Sequence, residues 1–333
     1  MSVRQHWRVI AAAAVTLAMV TGCGSDGGDS AAKSGDAATR VFAADNGEIT
    51  IPVDPQRVVA TGYAVPVLIE ADAALVGISS WKRGLALMTE QDRATYDRLP
   101  KVAGEAAAET NYEAVAAAKP DLIVIGVPKP ALGSIDMKRL ESIAPVVAIG
   151  PTTPAAWREL SRRQADAAGR STNFEAAKEA YDKRAAELKD KYGTALAGLK
   201  FGHVGSYGEI AKGTFHREFA GSWGTNIAQD VGVTYYGEVK EKGGGGLDVT
   251  EYPAIEELPT SLGEADAITY TLQPDGTPAE AVKQVLDSAL WKNLPAVKAG
   301  RVFGLRYTEA ATYESALRTL DSVDKAFAPL PAR

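Results

Sequence analysis

From the amino terminus, the chain opens with Arg4 and Arg8 and then an apolar run from Val9 to Val20. The run has the length of a secretory h-region and is too short for a comfortable membrane span. After Cys23 comes a polar stretch of Gly, Ser and Asp with too little apolar content to fold, which reads as a flexible tether. From Thr39 to Pro52 apolar and polar positions alternate about Asn46-Gly47, the signature of a hairpin with a tight turn. Short apolar runs then alternate with helical periods. The pattern predicts strands over 57–61, 74–78, 121–126 and 145–149, and helices over 65–73, 112–118 and 137–143. Lys119-Pro120 stops the second of these helices. Strands that are apolar throughout, set between helices, imply a parallel sheet covered on both faces.

The middle of the chain is helical. One helix is expected over 154–168, and Gly169-Arg170 breaks it. Ser171 or Thr172 can cap a second helix running to about Tyr192, with Glu175 in its first turn. Phe174, Ala177, Tyr181, Ala185, Leu188 and Tyr192 share one face of it, and Lys183, Glu187 and Lys191 can pair on another. A helix of that length crosses from one lobe to another or lies along the surface of one. The second half repeats the α/β theme, with strands over 199–206, 265–271 and 301–305. Helices are expected over 218–231, within the 247–258 segment with Thr250 as its cap, over 278–288, and from Thr312 onward. Gly243 to Gly246 form a mobile loop, not a phosphate loop, because no Lys-Ser/Thr follows.

Composition narrows the functional classes. With 333 residues and 46% hydrophobic content, the chain is long enough for two lobes. The net charge of −6 argues against a nucleic-acid partner, which requires a clustered basic surface. Cys23 is the one cysteine, so the chain has no internal disulfide and its stability comes from packing. Of the histidines, His6 falls in the leader, leaving His203 and His216 without metal-ligand spacing, which argues against a carrier of bare zinc or manganese. No Gly-x-Ser-x-Gly and no dinucleotide fingerprint is present, so an enzyme on this framework has no motif behind it.

Two resemblances add to this reading. Val20-Thr21-Gly22-Cys23 resembles the bacterial lipobox. The resemblance implies cleavage before Cys23, lipid on its sulfur, and a protein held on the extracytoplasmic face of the cell membrane. The stretches NYEAVAAAKPD with LIVIG, the Ala144-Pro145-Val146-Val147 segment, and WKNLPAVKAGRVF at 291–303 are similar in order and spacing to the iron-siderophore type of substrate-binding protein serving ABC importers. That family implies two Rossmann-like lobes with mainly parallel sheets joined by one long helix. The implied divisions are 1–22 signal peptide, 23–40 tether, 41–152 first lobe, 153–194 connecting helices and 195–333 second lobe. The implied ligand is a ferric siderophore, with haem or cobalamin as the family's alternatives. The implied partner is an ABC permease, and a monomer without cofactor is expected. A surface scaffold without a small ligand is the reading from another class.

In open α/β sheets, ligands sit beyond the carboxyl ends of the strands. That rule selects Tyr63, Trp81, Lys82, Arg83, Tyr207, Tyr270, Arg306 and Tyr307. Trp223 and Tyr235 join them as aromatic candidates, although core packing competes for both. Aromatic side chains suit the apolar flanks of a ferric chelate, and Arg presents a donor fork to its oxygens. Haem would need one axial Tyr or His, for which Tyr63, Tyr207 and His216 are open. Relatives dock to the permease through an acidic residue early in the helix after the first strand. Here that place holds Pro66, with Glu70 a turn later and Glu218 as the counterpart in the second lobe. Both can equally be solvated helix charges.

Overall fold

The computed structural model describes residues 38–331. The leader, Cys23 and nearly all of the tether lie outside the described residues.

A hairpin of β1 (Thr39–Ala44) and β2 (Gly47–Pro52) pairs from Thr39↔Pro52 to Ala44↔Gly47, with its turn at Asp45-Asn46. Next come β3 (Val58–Gly62), α1 (Ala64–Glu70), β4 (Leu75–Ser79), α2 (Glu90–Arg98), β5 (Lys101–Ala103), α3 (Tyr112–Ala117), β6 (Leu122–Gly126), α4 (Met137–Glu141) and β7 (Val146–Ala148). The strands form one parallel sheet in the order β5-β4-β3-β6-β7. Their unbroken apolar character has a direct cause. Val58, Ala60, Leu122 and Val124 feed the core on one face, while Val59, Ile123 and Ile125 feed the core on the other. Neither α2 nor β5 is apparent in the sequence pattern. α2 buries only Tyr96 and so carries no apolar stripe, and β5 is a three-residue edge strand.

α5 (Trp157–Ala167) and α6 (Ser171–Leu196) follow, separated at Gly169, whose φ of +68° suits glycine. α6 has 26 residues and a length of about 39 Å. Its buried face is the expected one, with Phe174, Tyr181, Ala185, Leu188 and Tyr192 inside. Its charges behave differently from the expected Lys183-Glu187-Lys191 ladder. Arg184 approaches Glu187 at 3.7 Å, and Lys191 turns away to Asp324 at 2.7 Å.

The second lobe contains β8 (Phe201–Gly205), β9 (His216–Glu218), α7 (Asn226–Asp230), β10 (Thr250–Glu251), α8 (Leu258–Leu262) and β11 (Ala267–Leu272). It continues with α9 (Glu280–Asp287), α10 (Ala289–Lys292), α11 (Pro295–Lys298), β12 (Val302–Arg306) and α12 (Tyr313–Phe327). The sheet order is β10-β9-β8-β11-β12, with β8, β11 and β12 parallel and β9 and β10 antiparallel. Two sequence expectations fail here. Residues 218–231 are not one helix: Glu218 ends β9, Gly221 turns the chain at φ +82°, and helix begins only at Asn226. Thr250 caps nothing. It lies in β10, where its hydroxyl meets His216 and the Arg217 carbonyl. The WKNLPAVKAGRVF stretch is structural, with Trp291, Leu294 and Ala296 buried in the core under β12. The two-lobed α/β class with a long joining helix is the observed one.

Candidate functional site

The site grows from the strand ends. β3 stops at Gly62, where φ is +60° and any Cβ would lie 2.6 Å from the Gly126 carbonyl oxygen. That close approach lets the Tyr63 N–H donate to Gly126 and sets the Tyr63 ring over the edge of the sheet. Beyond β4, the Trp81 N–H donates to the Tyr96 hydroxyl at 2.9 Å. Gly84 lies so close beneath the indole that a Cβ would meet its nitrogen at 2.1 Å. Trp81 is thereby held edge-on to Tyr63, with centroids 4.8 Å apart at 67°. The Arg83 guanidinium covers both rings, 4.1 Å from Trp81 and 5.0 Å from Tyr63.

The second lobe completes the cluster. Trp223, in the turn between β9 and α7, lies parallel to Tyr63 at 6.2 Å, and Tyr207, just after β8, leans on Trp223 at 5.6 Å. Each such pair is worth about 0.5–1.5 kcal/mol beyond its buried area. Burial, then the neighbouring Tyr207, push the Tyr63 phenol well above its ordinary value. Around this cluster lie three adjoining hollows. Tyr63, Tyr207 and Trp223 link the first to the third, while Arg83, Leu87 and Glu309 link it to the second.

The lobes also meet directly. The Glu70 carboxylate accepts from the Glu314 N–H at 3.2 Å and bonds the Thr312 hydroxyl, at the start of α12. Burial pushes its carboxyl up to about 8. Arg318 of α12 donates to the carbonyls of Ala86 and Met88 in the first lobe at 3.0 and 2.9 Å. Glu309, between β12 and α12, lines the same cleft. Burial, followed by the charge of Glu218, lifts its carboxyl to about 7 against the pull of Arg83.

Of the sequence candidates, Tyr63, Trp81, Arg83, Tyr207 and Trp223 come together in the cleft, and Tyr307 lines its second hollow. The others fall elsewhere. Lys82 is exposed beside the cleft and lines none of its hollows. Arg306 turns its guanidinium to the Pro274 carbonyl at 3.0 Å. Tyr235 is a core residue, with its hydroxyl 2.8 Å from Thr269 and its ring against Phe201 and His203. Tyr270 packs edge-on to Trp291 in the core on the far side of the second sheet. His216 is 1% exposed, stacked on Tyr252 and bonded to Thr250, so it cannot reach an axial position on a haem. Glu218 is equally buried and accepts from the Gly224 N–H, and Glu70 faces the inter-lobe seam. Neither carboxylate is presented to a docking partner.

The strand-end rule did not single out Glu309, although this residue lies three positions beyond Arg306. Asp92 was hidden because α2 itself was not read. Trp223 falls within the helix expected over 218–231, and its true place depends on the turn at Gly221.

The periplasmic binding protein family model matches residues 58–200, from β3 through α6. The chain is similar to periplasmic binding proteins of the iron-siderophore type. It is 24% identical over 290 residues to the iron(3+)-hydroxamate-binding protein YxeB of Bacillus subtilis, covering 85% of this chain and 83% of that one. It is 26% identical over 322 residues to the iron(3+)-hydroxamate-binding protein FhuD of the same organism, covering 92% and 93% of the two chains. A solved structure of the siderophore periplasmic binding protein from the fuscachelin gene cluster of Thermobifida fusca superposes with a TM-score of 0.67 at 29% identity, over 84% of this chain and 99% of that one. The family consists of transporters' substrate-binding proteins rather than enzymes. The cleft of this binding protein is accordingly a place to hold a molecule, not to transform one.

Proposed function

We propose that this binding protein captures a ferric siderophore in the cleft between its lobes and delivers it to an ABC importer. One observation carries the reading. At the carboxyl ends of both sheets, Tyr63, Trp81, Tyr207 and Trp223 form an aromatic surface of mutually angled rings beside the Arg83 guanidinium. Such a surface matches a bulky chelate with apolar flanks and electron-rich oxygens around the metal. Among the described residues no group of three or more His, Cys, Asp and Glu side chains is arranged to hold a metal ion. The names of the two Bacillus relatives support hydroxamates as the chelator class. The lipobox-like Cys23 supports a lipid anchor on the extracytoplasmic face of the membrane.

The test is a tryptophan-fluorescence titration of the chain from Gly24 onward. The panel is a ferric trihydroxamate, a ferric tris-catecholate, ferric citrate, the iron-free chelators and haemin. Saturable quenching by a ferric chelate at micromolar concentration or below is expected, weakened about tenfold or more in Arg83→Ala by loss of a charge-assisted contact. Saturation by haemin alone, or by nothing in the panel, sinks the reading.

A further inference from the structure

The cleft contains more charge than the aromatic cluster explains. Arg83, Glu70, Asp92 and Glu309 all line its main hollow. Two of the carboxylates have partners: Glu70 holds the start of α12, and Asp92 accepts from the Thr89 hydroxyl at 2.8 Å. Arg83 and Glu309 are different. Neither side chain makes a hydrogen bond or ion pair among the described residues, and the two come no closer than contact by field. They approach from opposite lobes and line the same two hollows. An exposed guanidinium and a half-buried carboxyl left apart in one cleft are both available to a ligand, and the carboxyl's need is the stronger, since a charge taken from water without a partner is costly. Burial and the Glu218 charge lift the Glu309 carboxyl to about 7 against the pull of Arg83, so a cation brought closer than Arg83 favours its ionised form.

Building on the siderophore reading, we propose that Glu309 determines specificity, selecting ferric chelates that carry a positive group, such as an ammonium arm on a neutral hydroxamate core, over polyanionic ones. Arg83 takes the electron-rich oxygens around the metal, while Glu309 takes the cation on the arm. A tris-catecholate brings three negative charges to a lining whose one cation faces three carboxyl groups. It would have to keep those groups protonated to enter. A neutral hydroxamate core with an ammonium arm satisfies both unpaired side chains at once.

Two forms of one linear ferric trihydroxamate test this, one with a free terminal amine and the other with that amine acetylated, beside a ferric tris-catecholate. Each is titrated into the wild-type chain and into Glu309→Gln. The wild type is expected to hold the amine form about tenfold or more tightly than the acetylated form, the scale of one charge pair in a partly buried site. Glu309→Gln is expected to remove that preference, so that the two forms bind within about twofold of each other. Equal binding of both forms by the wild type overturns the proposal, as does tighter binding of the tris-catecholate. In either case siderophore binding itself survives. No binding of any chelate overturns the siderophore reading and this proposal together.

Discussion

The two sheets have the same number of strands and very different interiors. In the first lobe the strands are apolar on both faces, and alternate residues simply enter one core or the other. In the second, one face keeps a polar interior at the strand ends. His203 lies between the hydroxyls of Thr269 and Thr271, at 2.7 and 3.1 Å, and Thr271 lies 3.3 Å from Thr308. Arg217, fully buried, donates to the carbonyls of His203, Glu218 and Tyr236 and lies over the rings of Phe219 and Tyr236. Glu218 accepts from Gly224 at the other end of the same turn. The turn clasped this way, 219–225, carries Trp223 into the cleft. The first lobe presents its side chains from a rigid parallel scaffold, whereas the second positions Trp223 through buried polar contacts. A parallel sheet specifies itself through burial alone, but an irregular turn has to be held by directional bonds.

The sharpest way to break this contrast is Arg217→Met. Removing the guanidinium strands three buried carbonyls, and a loss of about 3–5 kcal/mol is expected in denaturant unfolding. The counterpart in the first lobe, Ile123→Val, is expected to cost about 0.5–1.5 kcal/mol. Similar losses from both would mean that the polar interior is not what holds the second lobe.

An intermediate effect is expected where the lobes touch. Glu70 has a folded-state value raised from 4.5 to about 8. A raised acid favours the fold fully below its unfolded value and loses that advantage as pH climbs toward the folded one. Wild-type stability should therefore fall between about pH 4.5 and pH 8 on this account. Glu70→Gln keeps an oxygen for the Glu314 N–H and should melt with the wild type at pH 4.5 but above it by a few degrees at pH 8. Parallel curves across that window would show that the seam carries no such proton.

The smallest effects should be blind to the lobe. Arg93 pairs with Asp97 in the first lobe and Lys283 with Asp287 in the second, both exposed and one helical turn apart. Arg93→Ala and Lys283→Ala should each cost about 0.5 kcal/mol or less, and the cost should shrink in salt. A large cost from either one would place part of the difference between the lobes on their surfaces.

The same contrast decides how much the sequence could reveal. The strands of the first sheet are local, apolar and separated by helices, so β3, β4, β6 and β7 were legible from pattern alone. In the second lobe, β9 and β10 are two or three residues long, polar, and defined by pairing with distant segments, which no local period records. The cleft divides likewise. Tyr63, Trp81, Arg83 and Tyr207 follow strands that could be read, and the structure brings these side chains together in the cleft. Glu309 and the true position of Trp223 depend on how a turn folds back. Tyr235 and Tyr270 were misassigned because an aromatic residue at a sheet gives no sign of which layer it faces.

The joining helix has a mechanical consequence. Arg184, Lys191 and Tyr192 fasten α6 to Asp321 and Asp324 of α12, so the helix travels with the second lobe. From Arg163 onward, α5 is fastened to the first lobe through Asp45, the Ile149 carbonyl and the Arg40–Asp166 pair. The covalent link between these two anchorages runs through the corner at Ala168–Arg170, at one end of a rod about 39 Å long. Each degree of rotation at that corner sweeps the far end through about 0.7 Å. The protein has a short pivot and a long lever arm, a linkage that turns small angular play at one glycine into displacements the size of an atom.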